Sequence, residues 1–466
     1  MNITRRQFLK TAAALTVAPL CSRADSKCTH PNIILIVADD LGYGDLSCYG
    51  QTKFSTPELD RMAAEGMRFT QHYSGSTVCA PSRCCLMTGM HTGHAQIRGN
   101  EEIQPIGQYP LKAGTLTMAK ILQRAGYKTG MFGKWGLGYP GSSGDPLNQG
   151  FDTFFGYNCQ RNAHTYYPPF LYQDKERIPL DGKTYSHDLI MKKAFQFIRD
   201  NQENRFFCYL PVTIPHASMH APPELHDEWR KKLPQFEDVT ADYAGPVVKN
   251  PVAAFPAMVI HLDNQIGQLF NLLKTLKLDE STLVLFTSDN GPHNEGGHRP
   301  DFWNSNGPFS GYKRDLLEGG IRAPLIARWP GCIPANTVSE HICAFWDYLP
   351  TLADFAGQTT PFEIDGISFR YELLGWPVEK QKHSYLYWEY EQLGGQQAIR
   401  YKQYKGIRRN LRNDPNPSIE IYNLETDPKE QNDISDQHPE LILAFRTLFK
   451  KAHTYSEIFP LFEYEK

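Results

Sequence analysis

The sequence predicts an α/β sandwich built around a large, mostly parallel mixed sheet, on three observations. Continuous apolar runs recur along the chain, "PNIILIVADD" (31–40), "NRFFCYLPVTIPH" (204–216) and "STLVLFTSDNG" (281–291). They lack the in–out alternation of a half-exposed strand, so they are strands buried on both faces. Helical stretches alternate with them, and strand–helix alternation makes a parallel sheet. A chain of 466 residues also has ample length for a large core.

The elements follow in order. "MNITRRQFLKTAAALTVAPLCSRA" sets Arg5 and Arg6 ahead of an apolar run, Thr11 to Leu20. That run is shorter than the roughly 20 residues a membrane span needs. Residues 1–27 read as a twin-arginine signal peptide, with the twin-arginine export machinery as a partner and a periplasmic or secreted location. Lipoprotein anchoring at Cys21 fits less well, since Ala-Pro-Leu precedes it. "PNIILIVADD" is the first buried strand. "STPELDRMAAEG" is a helix with Ser55 or Thr56 as N-cap and Gly66 as its stop. "TLTMAKILQRAGYKTGMFGKWG" reads helix, glycine turn, strand. "MVIHLDNQIGQLFNLLKTLKL" carries a helical stripe of Val259, Leu262, Ile266, Leu269, Leu273 and Leu276. From about Gly366 short tyrosine-rich segments, "HSYLYWEYEQ", "QAIRYKQYKGIRRN" and "SIEIYNLETDPKEQNDI", give way to "HPELILAFRTLFKKAHTY". They form a smaller C-terminal antiparallel sheet with a closing helix, over residues 369–466, after a main domain over 28–368.

Bulk composition narrows the partners. A net charge of -3 excludes a nucleic-acid binder that relies on bulk positive charge. The 24 tyrosines and 26 phenylalanines suit a carbohydrate-facing surface as well as a large core. The ten cysteines do not read as a disulfide framework, and adjacent Cys84 and Cys85 are awkward to bridge; they read as small buried fillers.

Two strands end alike, in Asp39-Asp40 and in Asp289-Asn290. Ligands collect at the carboxyl ends of strands in open α/β sheets, and four such oxygens suit a hard cation, Ca²⁺ or Mg²⁺. The competing reading is helix capping or an Asx-turn. In "STVCAPSRCCLMTG" Cys79 stands in a tight turn with Arg83 four residues on. The residues alone leave it a nucleophilic thiol, a metal ligand or half of a disulfide.

Here the chain resembles the type I (formylglycine-dependent) sulfatase family of the alkaline-phosphatase-like superfamily. "CAPSRCCLMTG" is similar to its Cys-x-Pro-Ser-Arg signature. "PNIILIVADDLGYGDLSCYG", "GYKTGMFGKWGLG", "FTSDNG", "GYKRDLLEGGIRAPLIARWPG" and "EIYNLETDP" resemble further sulfatase blocks in the family's order. The resemblance implies that a formylglycine-generating or sulfatase-maturing enzyme converts Cys79 to 3-oxoalanine (formylglycine), whose hydrate attacks sulfur and then expels sulfate. It implies one Ca²⁺ held by Asp39, Asp40, Asp289, Asn290 and position 79. It implies that Arg83 holds the modified side chain, that Lys134 and Lys313 bind sulfate, and that His216 is the general acid for the leaving alcohol. One position departs from the pattern. Gly136 in "GKWGLG" stands where many members carry a histidine, and His164 or His293 is the expected substitute.

The loop "NCQRNAHTYYPPFLYQ" with "HASMHAPPELHDEW" offers Arg161, His164 and His220, with His293, as contacts for a sulfated carbohydrate. Sulfated galactose or N-acetylgalactosamine is the expected unit, by analogy. Two other readings stay open, a phosphomonoester or phosphonate ester hydrolase and a glycan-binding pseudo-enzyme. The sequence leaves the oligomeric state open.

Overall fold

The computed structural model describes residues 28–462, except 361–362, 378–380 and 415. The signal-peptide reading and Cys21 lie outside these. Five parallel strands form the centre of a ten-stranded sheet: β1 (Asn32–Ala38), β2 (Lys128–Lys134), β3 (Thr153–Tyr157), β4 (Phe206–Pro211) and β5 (Thr282–Ser288). They lie in the order β5-β1-β4-β2-β3. Antiparallel neighbours extend both sides, Leu325–Arg328 beyond β5 and Phe170–Gln173 beyond β3.

Every residue of β1, β4 and β5 is buried, because each face of the sheet meets a helical layer. Ile33, Leu35 and Val37 of β1 enter one core, and Ile34, Ile36 and Ala38 enter the other. That is the two-residue period of a strand expressed as two hydrophobic layers. The second layer holds α1 (Pro57–Ala64), α4 (Ser186–Asp200) and α5 (Pro251–Thr275). The first holds α2 (Cys79–Thr88), α3 (Met118–Arg124) and α6 (Tyr348–Phe355). In α5, Val259, Leu262, Ile266, Leu269 and Leu273 are buried as the stripe requires, and Leu276 is half-buried.

The C-terminal segment makes a four-stranded antiparallel sheet, Leu386–Tyr390, Gln396–Tyr401, Tyr404–Arg409 and Glu420–Asn423. Trp388, Ala398 and Ile407 join the first core; Tyr387, Ile399 and Ile421 pack under α7 (Pro439–Ala452) through Phe445 and Phe449.

Two local readings change. Thr56 sits at the N-cap position of α1 without capping it; its hydroxyl pairs with Ser47. Asp263, reaching across from α5, accepts from Leu59 and Glu58 N–H instead. Among the described residues the cysteines contain one bridge, Cys28–Cys332, across 304 residues of sequence. A pair so far apart leaves no local spacing to read.

Candidate active site

Parallel pairing sets Ala38 opposite Ser288, so Asp39-Asp40 and Asp289-Asn290 leave the sheet side by side. β2 ends on Lys134, and β4 ends five residues before His216. Cys79 opens α2, whose ten residues are all buried. Arg83, four residues on, shares its helical face. Its Nε and Nη2 donate to Asp289 Oδ2 at 3.1 and 2.7 Å, and Nη1 donates to the Lys134 carbonyl at 2.6 Å. The cysteine–arginine spacing thus ties the helix to two strand ends. A Cβ on Gly75 would stand 2.6 Å from Cys85 Cβ, so small side chains are required there, and Cys84 and Cys85 are fully buried.

Around Cys79 the polar groups interlock. Its Sγ donates to Asp39 Oδ1 at 3.4 Å, and Lys134 Nζ lies 3.4 Å from Sγ and 2.6 Å from Asp39 Oδ2. Asp40 has a left-handed backbone, φ 63°, which aspartate tolerates better than most residues. Its carboxylate accepts from Asn290 Nδ2 at 2.7 Å and from Lys313 Nζ at 2.9 Å. Lys313 also lies 3.1 Å from His216 Nε2, and Glu295 is 3.4 Å from the same ammonium. Three carboxylates, Asp39, Asp40 and Asp289, thus face three cations, Arg83, Lys134 and Lys313, all buried.

Burial opposes the charge on Asp39, but the cations Lys134, Arg83 and Lys313 outweigh it and hold the carboxyl far below its ordinary range. Burial, then the Asp39 charge, pushes the Cys79 thiol well up, so the unmodified side chain is a protonated thiol. Burial would lower Lys313, yet Asp40 raises it and keeps the ammonium charged. His216 is held well below its usual value by burial and by Lys313. Its Nδ1 pairs with the Ala217 carbonyl, which leaves Nε2 to accept from Lys313.

The donor set fits a hard divalent cation. Asp39, Asp40, Cys79 and His216 each offer one atom, all within 4.8 Å of one another. Asn290 Oδ1 is a buried acceptor with no partner among the described residues, directed by the same strand end as Asp289. Three carboxylates and an amide oxygen are the oxygen ligands such a cation takes.

A 90 Å³ cavity opens over Cys79, lined in part by Gln160, His164, His216, Tyr243 and Lys313. The His164 ring stacks on His216 at 5.0 Å, and burial, then Lys134, lowers it to about 4. The other expected contacts stand apart from the cavity. His220 pairs with the Pro246 carbonyl and the Tyr166 N–H, and His293 with the Pro215 carbonyl and the Glu295 N–H. Both rings thus have two engaged nitrogens, and His293 is not free to replace a missing base. Arg161 is exposed and reaches Glu102 and the Pro105 carbonyl. Gly136 has φ 81°, and a Cβ there would stand 2.2 Å from Gln160 Nε2. Gln160, Tyr243 and Glu295 carry no spacing signal; only the aromatic, polar character of the loop from Asn158 marks the first.

A mostly parallel sheet with an acidic and cationic site at its strand ends defines the alkaline-phosphatase-like class. The Sulfatase family pattern matches residues 31–358, and the pattern "N-sulphoglucosamine sulphohydrolase, C-terminal" matches 309–452. The chain belongs to the sulfatase family. It is 35% identical to the dog N-acetylgalactosamine-6-sulfatase over 74% of this chain and 66% of that protein. The chain therefore spans just under two-thirds of that relative's length. It is 29% identical to the Bacteroides thetaiotaomicron N-acetylgalactosamine-6-O-sulfatase over 91% of this chain and 93% of the other. The crystal structure of Ps i-CgsB in complex with k-i-k-neocarrahexaose superposes with a TM-score of 0.76 at 26% identity, covering 91% of this chain and 93% of that one.

Proposed function

We propose that this protein is an exported carbohydrate sulfatase whose nucleophile is a formylglycine made from Cys79. The observation that carries the reading is the setting of Cys79. A protonated thiol held between Asp39 and Lys134 is a poor nucleophile as it stands, yet two strand ends, a helix start and two lysines converge on it. Oxidised to the aldehyde and hydrated, the side chain supplies a hydroxyl nucleophile. Asp39, Asp40, Asp289 and Asn290 would hold Ca²⁺, which supplies positive charge beside that hydroxyl and the sulfate oxygens.

The chain's own residues do the rest. Arg83 locks Asp289 and the end of β2 in place, so the nucleophile and Lys134 keep a fixed separation. Lys134 and Lys313 offset the charge that builds on the sulfate oxygens. The leaving alcohol needs a proton. In the resting arrangement it lies on Lys313, 3.1 Å from His216 Nε2, so the pair delivers it together. His164, on the cavity wall, is the histidine that remains for the role vacated at Gly136.

The names of the dog and Bacteroides relatives support 6-sulfated N-acetylgalactosamine as substrate, with sulfated galactose the second candidate by analogy. The Cys28–Cys332 bridge suits the oxidising compartment to which a twin-arginine signal leads. The test is purified enzyme assayed on matched aryl sulfate and aryl phosphate, with mass spectrometry of the Cys79 peptide. The aldehyde mass and a preference for sulfate are expected, with Cys79→Ala costing roughly 10³-fold or more. An aldehyde-bearing enzyme that prefers phosphate overturns the reading in favour of the phosphoester alternative.

A further inference from the structure

Gln160 is the one carboxamide on the cavity wall with both polar side-chain atoms idle. It is 4% exposed, and neither Oε1 nor Nε2 has a partner among the described residues. Its amide-bearing neighbours are engaged. Asn100 Oδ1 accepts from Ala80 N–H, Gln108 Oε1 accepts from the Gln160 backbone N–H, and Gln108 Nε2 reaches the carbonyls of Asn100 and Glu101. Asn158 is also buried and idle but does not line the cavity. An orphaned buried amide is costly unless a ligand satisfies it. Gly136 makes the placement possible, since any side chain there would meet Gln160 Nε2.

The choice of ligand group follows from the chemistry of the amide. It offers one donor edge and one acceptor edge. A sulfate oxygen only accepts, so it would satisfy Nε2 and leave Oε1 facing an anion. The sulfate already has cationic counterparts in Lys134 and Lys313. A sugar hydroxyl both donates and accepts, and answers both edges. We infer that Gln160 is a specificity-determining residue that reads a ring hydroxyl of the sugar beside the sulfate ester, from the space that Gly136 leaves open. This deepens the sulfatase reading and rests on it. It also separates two jobs within one cavity, with charged groups holding the sulfate and a neutral amide identifying the alcohol.

The test compares kcat/KM on galactose 6-sulfate and N-acetylgalactosamine 6-sulfate with that on their 3-deoxy and 4-deoxy analogues, for the wild type and Gln160→Met. Methionine keeps the length and the packing on Gly136 but offers no such hydrogen bonds; Gln160→Ala is the second variant, and thermal unfolding checks that each is folded. The wild type is expected to discriminate against one deoxy analogue by at least roughly 10-fold, and the discrimination to collapse to within about 3-fold in both variants. A merely structural role would lower activity on all sugars and leave the ratio intact. An unchanged ratio in the variants overturns the inference, and so does a wild type indifferent to both deoxy positions. Cleavage of 4-methylumbelliferyl sulfate but of neither sugar overturns it too, leaving the sulfatase reading standing. An aldehyde-bearing enzyme that prefers phosphate to sulfate removes both.

Discussion

Gly136 shows how one missing side chain reorganises a site. Its left-handed backbone is strained for any residue with a Cβ, and Gln160 already fills the space such a residue would need. Restoring the family's usual histidine is therefore not a repair. Gly136→His is expected to destabilise the protein by roughly 2–4 kcal/mol, from backbone strain and overpacking together. Adding Gln160→Gly should recover the overpacking share, roughly 1–3 kcal/mol, and leave the strain. Urea unfolding of the two single variants and the double variant reads the coupling directly. Additive effects would mean that the two side chains do not compete for one space. Arg83 makes the complementary point, because the family resemblance implies its role and the structure supplies the reason. The tight turn expected at Cys79 is the first turn of a helix, and four residues along it put Arg83 on the face of Cys79, while the use of Gln160 depends on a loop folding back over β2.

The same contrast holds for whole elements. β1 and β5 are legible because strands buried on both faces must be apolar throughout, and each ends in the acids that the site uses. What cannot be read is that they are neighbours, for nothing local records the pairing of Ala38 with Ser288 across a sequence separation of 250 positions. The sequence suggests that α5 begins near Met258, yet it begins at Pro251. Pro256 looks like a helix breaker, yet the helix runs through it; its start is fixed upstream by the Asn250 cap, whose side chain accepts from Ala253 N–H at 3.1 Å. The long-range tether is equally silent in the sequence. Cys28–Cys332 fastens the segment entering β1 to the turn after Leu325–Arg328. Cys28→Ser with Cys332→Ser is expected to lower stability by roughly 2–5 kcal/mol. Reductant should lower the thermal midpoint of the wild type and leave that of the double variant unchanged. If reductant moves both equally, the tether is not what stabilises this edge.

Across the molecule as a whole, the two cores share an acid sensitivity. His72 sits on the side of the first core, where Nδ1 donates to the Ala323 carbonyl and Nε2 accepts from Tyr348 Oη, 3.1 Å each. His187, within α4, is likewise fully buried, on the opposite side of the sheet. Burial lowers both to about 3, against about 6.5 for an unfolded histidine. The sign follows from proton counting. Below pH 6.5 the unfolded chain takes up protons that the folded chain refuses, so the stability these residues contribute is complete above that pH and is lost as pH falls towards 3. At pH 5.0 each histidine should have cost about 2 kcal/mol, from 1.5 pH units at 1.36 kcal/mol per unit. Urea unfolding at pH 7.5 and 5.0 measures the loss. His72→Gln sacrifices the native hydrogen bonds and is expected to be less stable at pH 7.5, but its loss between the two pH values should be smaller than the wild type's by about 2 kcal/mol. The comparison uses a slope rather than an absolute stability, so the damage done by the substitution cancels. Equal slopes would show that His72 binds its proton as readily in the folded protein as in the unfolded chain.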